Sequence, residues 1–226
     1  MNITFIKRII FTSIGRKFVM AASGLLLGGF MLFHLAENLL LFKGEVAYNT
    51  WVDLLLSNPL LPLLELGLAA VFLAHIAAGT WVRIEDWLKA PSGYEARNWQ
   101  GGRTIGSATM SYTAFLILVY LAYHMLTFRF VDHSIGFYQM VTSAFRSRLF
   151  VAVYVGGAAA LVLHLTHGLQ SAFQTLGVNH PKYTPFIKAG GWLVAVTMIG
   201  FALIPVYYLL NLDLTAATGT YQVTIQ

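Results

Sequence analysis

Apolar residues gather in five stretches, near 18–42, 60–82, 107–128, 149–176 and 189–210. Each is about the 20 residues that a helix rising about 1.5 Å per residue needs to cross a bilayer core. The interruptions carry loop chemistry: Lys43-Gly44-Glu45, Asn58-Pro59 with Pro62 just inside the next helix, a polar run from Arg83 to Gly102 that contains Pro91-Ser92-Gly93, and Asn179-His180-Pro181. All are short, so the pattern predicts a single all-α domain over residues 1–226, an integral membrane bundle of five transmembrane helices. The tail from Asn211 to Gln226, ending TAATGTYQVTIQ, is too polar to add a sixth crossing.

Composition removes the water-soluble alternative. The chain is 58% hydrophobic and only 10% charged, with a mean hydropathy of +0.69, against about 45–50% apolar and 25% charged in soluble domains. The absence of cysteine excludes disulfides, iron–sulfur ligation by this chain and covalent c-type heme attachment. A net charge of +5 does not make this a nucleic-acid binder, because the basic residues sit in short loops beside apolar spans, where topology accounts for them. Ten of the 14 Lys and Arg fall on one side: Lys7, Arg8, Arg16, Lys17, Arg83, Lys89, Arg97, Arg103, Lys182 and Lys188. Lys43, Arg129, Arg146 and Arg148 fall on the other. The rich side is expected to be cytoplasmic, which puts the N-terminus inside, the C-terminus outside and the protein in an inner, cytoplasmic membrane as a multi-pass chain. The opening MNITFIKRIIFTSIGRKF has the positive flank of a signal peptide. The apolar stretch behind it nevertheless runs on to Phe42 through His34, Glu37 and Asn38 without a small-x-small cleavage pattern, which predicts a retained first span.

Histidines sunk in these spans carry the candidate chemistry. An ionisable ring in hydrocarbon is costly without a partner, so His34, His75, His124 and His164 each demand one. Counting from the side where each helix begins, His34 and His124 lie about 16 and 17 residues in, roughly 24 Å from the inner face and hence near the outer one. His75 and His164 lie about 15 residues into helices that run the other way, near the inner face. The four sort into an outer pair, His34 with His124, and an inner pair, His75 with His164. Each pair comes from two helices of the same direction. Two imidazoles on opposite sides of one iron are what a b-type heme takes, and this pattern supplies that twice. His167, three residues from His164 on nearly the same helical face, can replace it. Interhelical hydrogen bonding is the plain alternative for any one of these rings, and zinc would need more ligands at one level than a pair offers. His133 and His180 fall in loops and are expected to face solvent.

Small residues on the same spans, Gly24, Gly28, Gly29, Gly67, Ala69-Ala70 and Gly156-Gly157-Ala158-Ala159-Ala160, allow close approach of helices or of a flat ring. Two carboxylates intrude into the spans, Glu37 and Glu65, both within about 8 Å of the outer face. Either is a candidate to relay protons to a quinone, or to hydrogen-bond at the interface. Arg129, Arg146 and Arg148 outside, and Arg16, Lys17, Arg83 and Arg103 inside, are candidates for heme propionates as well as ordinary interfacial cations. Trp51, Trp81, Trp87 and Trp99 lie where interface anchors do.

With these residues in place the chain resembles the five-helix, diheme cytochrome b membrane anchors of succinate dehydrogenases and fumarate reductases, the succinate:quinone oxidoreductases. The resemblance covers nearly the whole chain. Ser23-Gly24-Leu25-Leu26-Leu27-Gly28 followed by Phe33-His34-Leu35 is similar to the family's Gly-rich approach to its first ligand. Phe72-Leu73-Ala74-His75 and Leu121-Ala122-Tyr123-His124 occupy the second and third ligand positions. His164-Leu165-Thr166-His167-Gly168-Leu169 fits a pattern of histidine, three residues, then Gly-Leu, which selects His164 over His167, and the run Ser171-Ala172-Phe173-Gln174-Thr175-Leu176-Gly177 adds to it. The resemblance implies two b hemes, a quinone that is often menaquinone, and flavoprotein and iron–sulfur subunits docked on the cytoplasmic face. Electrons would pass from the iron–sulfur subunit through the inner and outer hemes to quinone, with no dicarboxylate site in this chain. Val162 stands where some fumarate reductases of the group carry a glutamate linked to compensating proton movement, which argues against that route. Two other readings remain at this point: a diheme cytochrome b of another quinone-linked oxidoreductase, such as a hydrogenase or formate dehydrogenase, and a heme-free transporter with proton-relay histidines.

Overall fold

The computed structural model describes residues 12–88, 104–178 and 180–218, and among them every regular element is a helix. Lys7, Arg8, Lys89, Arg97, Arg103, Trp99 and the Pro91-Ser92-Gly93 turn lie outside the described residues. Five helices are long and apolar enough to span a membrane: Ser13–Lys43, Leu61–Leu88, Ile105–Arg129, Arg148–Thr175 and Thr184–Asn211. The protein is a multi-pass membrane protein.

The elements in chain order are α1 (Ser13–Asn38) with a 3-10 extension to Lys43, α2 (Glu45–Leu56), α3 (Leu61–Leu88), α4 (Ile105–His124) with a π-helical turn to Arg129, α5 (Phe137–Ala144), α6 (Arg148–Thr175), α7 (Thr184–Thr197) and α8 (Gly200–Thr218). Helix starts have local causes. Thr12 accepts the Gly15 N–H at 3.1 Å, Ser147 accepts that of Phe150 at 3.4 Å, and Thr104 with Ser107 forms a reciprocal capping box on α4. Each occupies an orphan donor of a first turn, a group that lipid could not satisfy. Apolar side chains such as Leu63, Leu66 and Leu73 on α3, and Phe115, Leu116 and Val119 on α4, stay exposed, as lipid-facing residues do.

Helix α6 is the centre of the bundle. It packs against α1, α4, α7 and α8, while α3 packs chiefly on α1. Its buried stripe, Val151, Tyr154, Gly157, Ala158, Leu165, Leu169 and Ala172, recurs at helical spacing. Gly157 earns its place by proximity: a Cβ there would lie 2.4 Å from the Tyr120 ring. Gly156 and Gly29, on helix faces with nothing within 4 Å, have no such neighbour. Gly157→Ala is expected to cost about 1–3 kcal/mol through overpacking, read as a lower thermal midpoint by circular dichroism in detergent. Gly29→Ala should leave that midpoint level or slightly raised, since alanine is the better helix former by about 1 kcal/mol.

Two features depart from the sequence expectation. The connections between spans fold into short helices, α2 and α5, which pack on each other at one end of the bundle, with the Asn49 side chain capping the Tyr138 N–H at 3.0 Å. The fifth span is two helices. Ile199 N–H bonds Val196 O at 3.0 Å and Ala202 N–H bonds Ile199 O at 2.8 Å, tight turns that interrupt the regular ladder between α7 and α8. Pro205 inside α8 lacks the N–H needed to continue that ladder. The break sinks Met198 completely and leaves Phe201 facing α1.

Candidate heme-ligand site

Two ion pairs define the ends of the bundle. Arg129 on the π turn meets Glu65 on α3 at 3.0 Å, and Arg16 on α1 meets Glu85 at the far end of α3, where Trp81 also donates to Glu85 at 3.1 Å and its ring lies 5.3 Å beneath the Arg16 guanidinium. Four histidines lie between these ends in two layers.

At the Arg129 end, the His34 and His124 rings lie with centroids 6.0 Å apart and planes at 82°. At the Arg16 end, His75 and His164 stand 6.4 Å apart with planes at 79°. These are the pairs expected from depth. The layers are registered on three helices at once. His75 touches α1 at Met20 and Ser23, 11 to 14 residues before His34; His164 touches α4 at Thr113, 11 before His124; and His124 touches α6 at Tyr154, ten before His164. At about 1.5 Å per residue these offsets place the layers roughly 15–20 Å apart.

Each ring is held through its Nδ1. His75 Nδ1 donates to the Met20 carbonyl at 3.0 Å and lies 3.3 Å from Ser23 Oγ; His34 Nδ1 donates to Glu37 Oε1 at 2.6 Å. Thr113 Oγ1, its own proton turned back to the Thr109 and Met110 carbonyls, lies 3.4 Å from His164 Nδ1, and Tyr154 Oη lies 3.2 Å from His124 Nδ1. No Nε2 of the four has a hydrogen-bond partner among the described residues. An outer-shell acceptor on one nitrogen and a lone pair kept on the other is how a metal-ligating imidazole is oriented.

A shared metal sets a testable spacing. With a metal–nitrogen bond of about 2 Å and each nitrogen about 1.1 Å from its ring centre, two axial imidazoles would hold their centroids about 6.2 Å apart. The two observed spacings bracket that value. The helices that contribute each pair, α1 with α4 and α3 with α6, are not packed closely on each other, whereas α1 packs on α3 and α4 on α6. Each pair thus joins two helices that are not direct packing neighbours, in a bundle whose α1 and α6 also pack on each other. Gly24 lets the His75 ring lie against α1, since a Cβ there would come within 2.9 Å of its Cε1. The residues present fit two bis-histidine b hemes. A four-donor zinc site has no counterpart, because no three His, Cys, Asp or Glu side chains converge among the described residues.

Aromatic rings enclose the Arg129-end layer. Phe30 stacks on His34 at 5.4 Å and 13°, Phe201 lies 5.7 Å from it, and Tyr120, Phe128 and Tyr154 surround His124. His167 is half-buried, carries no hydrogen bond among the described residues, and is not the ring that faces His75. His133 is not turned to solvent as expected: it donates from Nε2 to the Phe128 carbonyl at 2.8 Å and stacks on Phe137 at 4.5 Å, which ties the π turn to α5. His180 is exposed and accepts the Lys182 N–H at 3.2 Å.

The two candidate carboxylates differ in company. Glu65 is about half exposed and paired with Arg129, while Glu37 is 17% exposed and committed to His34. Burial, and then the Glu37 charge, push the phenol of Tyr48 on α2 up to about 12. Of the proposed propionate cations, Arg129 and Arg16 are thus engaged in ion pairs, and Lys17, Arg83, Arg146 and Arg148 are exposed. Sequence reasoning missed Trp51 as more than an anchor. Its ring stands 6.4 Å from Phe33, and its Nε1–H is buried without a partner among the described residues.

Comparison with protein-family models, with curated proteins and with solved structures finds no match to this chain.

Proposed function

We propose that this chain is a diheme cytochrome b anchor that carries electrons between an iron–sulfur partner on the cytoplasmic face and membrane quinone, as the membrane subunit of a succinate dehydrogenase or fumarate reductase. The observation that carries the reading is the pair of histidine couples, each spaced for one iron and each with Nδ1 committed elsewhere. The heme-free transporter reading has no use for two such couples in register. When bound, the two b hemes supply one-electron relay between the layers.

The chain's own residues hold and insulate that relay. His75 and His164 serve the inner level, fixed by Met20 O, Ser23 and Thr113; His34 and His124 serve the outer level, fixed by Glu37 and Tyr154. Phe30, Phe201, Tyr120, Phe128 and Tyr154 set apolar rings around the outer pair. Quinone exchanges electrons at this outer level, where Trp51 Nε1–H is a buried donor available to a quinone carbonyl and Glu65, paired with Arg129, is the carboxylate we assign to the proton route. Menaquinone is the quinone we assign, by resemblance to the diheme group. The excess of basic residues in the loops on one side supports a cytoplasmic N-terminus, and by resemblance we assign the flavoprotein and iron–sulfur subunits to that same side of the inner membrane.

Affinity purification from native membranes tests the assignment. The expected result is a complex containing a flavoprotein and an iron–sulfur protein, in which succinate reduces the b-type absorption and added quinone reoxidises it. Copurification with a hydrogenase or formate dehydrogenase instead would move the chain to the other class of quinone-linked cytochrome.

A further inference from the structure

The four ligand histidines are not held alike. Three have neutral outer partners: a backbone carbonyl with a serine hydroxyl for His75, a threonine hydroxyl for His164 and a tyrosine hydroxyl for His124. His34 alone among them meets a carboxylate, Glu37 Oε1, and that contact, 2.6 Å, is the shortest of the set. The pairing is built into α1 by the i, i+3 spacing, which sets both side chains on one face of the helix. Glu37 is only 17% exposed, so its charge is weakly screened, and the Phe30 and Phe201 rings cover His34 on its other sides.

We propose that Glu37 is a positioning residue that acts through His34 to lower the reduction potential of an iron held at the outer level, an inference that rests on the heme reading above. A carboxylate accepting from Nδ1–H draws that proton away and makes Nε2 the more electron-rich donor. A richer donor favours the ferric over the ferrous ion, and second-shell hydrogen bonding is one of the established controls of heme potential. The inner pair has no anionic partner of this kind among the described residues.

The test is a redox titration of the purified complex, followed by b-type absorption, in the unaltered protein, Glu37→Gln and Glu37→Asp. Glutamine keeps a hydrogen-bond acceptor and removes the charge. It should raise the midpoint of the heme that is lost on replacing His124 by about 59 mV, a tenfold change in the ferric-to-ferrous ratio of a one-electron couple, and leave the other midpoint in place. Aspartate, which retains the charge but has a shorter reach, should raise the same midpoint by less, and it serves as the deciding variant should glutamine impair heme retention. Two hemes whose potentials do not respond to either replacement, or a shift confined to the heme that survives replacement of His124, overturn the role of Glu37 and leave the diheme reading standing. No b-type absorption in the unaltered protein overturns both.

Discussion

His124→Ala yields a protein that keeps one b heme and loses the other. Among the described residues the outer layer has two imidazoles, 6.0 Å apart, and no third His, Cys, Asp or Glu side chain converges with them into a metal-holding group. The heme-to-polypeptide ratio should therefore fall from two to one, with one of the two components missing from the titration. Succinate-driven quinone reduction should drop by at least about 100-fold, beyond the 10- to 100-fold that loss of an outer-shell partner alone costs. The fold itself should survive: the vacated volume lies among Tyr120, Phe128 and Tyr154, whose rings pack on one another independently of the imidazole. A variant that retained both hemes at full potential would show that His124 is not a ligand.

His164→Ala and His167→Ala should part company just as sharply. They are three residues apart on α6, and sequence position alone leaves both available. The structure turns His164 toward His75 and fixes it on Thr113, whereas His167 lies beside Gly106. Alanine at 164 should remove the inner heme and, with it, the way in for electrons from the cytoplasmic side, so that the outer heme is no longer reduced by succinate although dithionite still reduces it. Alanine at 167 should leave two hemes in place, with any loss of activity below about tenfold. Heme content per polypeptide for the two variants, set side by side, reads the difference; the reverse outcome would exchange their roles.

How far the sequence carried this picture depended on which physical rule governed each part. The spans were legible because lipid enforces length and apolarity together, and all five emerge where expected, with limits that differ by up to six residues. The histidine layers were legible because a regular 1.5 Å rise converts residue counts into depth. Counting could not show which neighbour each ring meets. Glu37 was visible as a carboxylate in a span, but its place on the His34 side of α1 depends on rotamer and on the cover given by Phe30 and Phe201. Glu65 gave no sign of Arg129, 64 residues away, because that contact is set by how the π turn at the end of α4 swings back toward α3. The helices α2 and α5 hid in polar loops too short to carry a spanning signal. The break between α7 and α8 escaped because Met198 and Ile199 are as apolar as their neighbours, leaving Gly200 and Pro205 as the only sequence hints.

The central claim is that imidazoles from alternate spans grip two irons at two levels. A dithionite-reduced minus oxidised spectrum of the purified chain, with iron and protoheme counted per polypeptide, tests it most directly. Two b hemes per chain, both low-spin and each reduced by one electron, are predicted. A preparation that folds and yet shows no b-type difference band would contradict it.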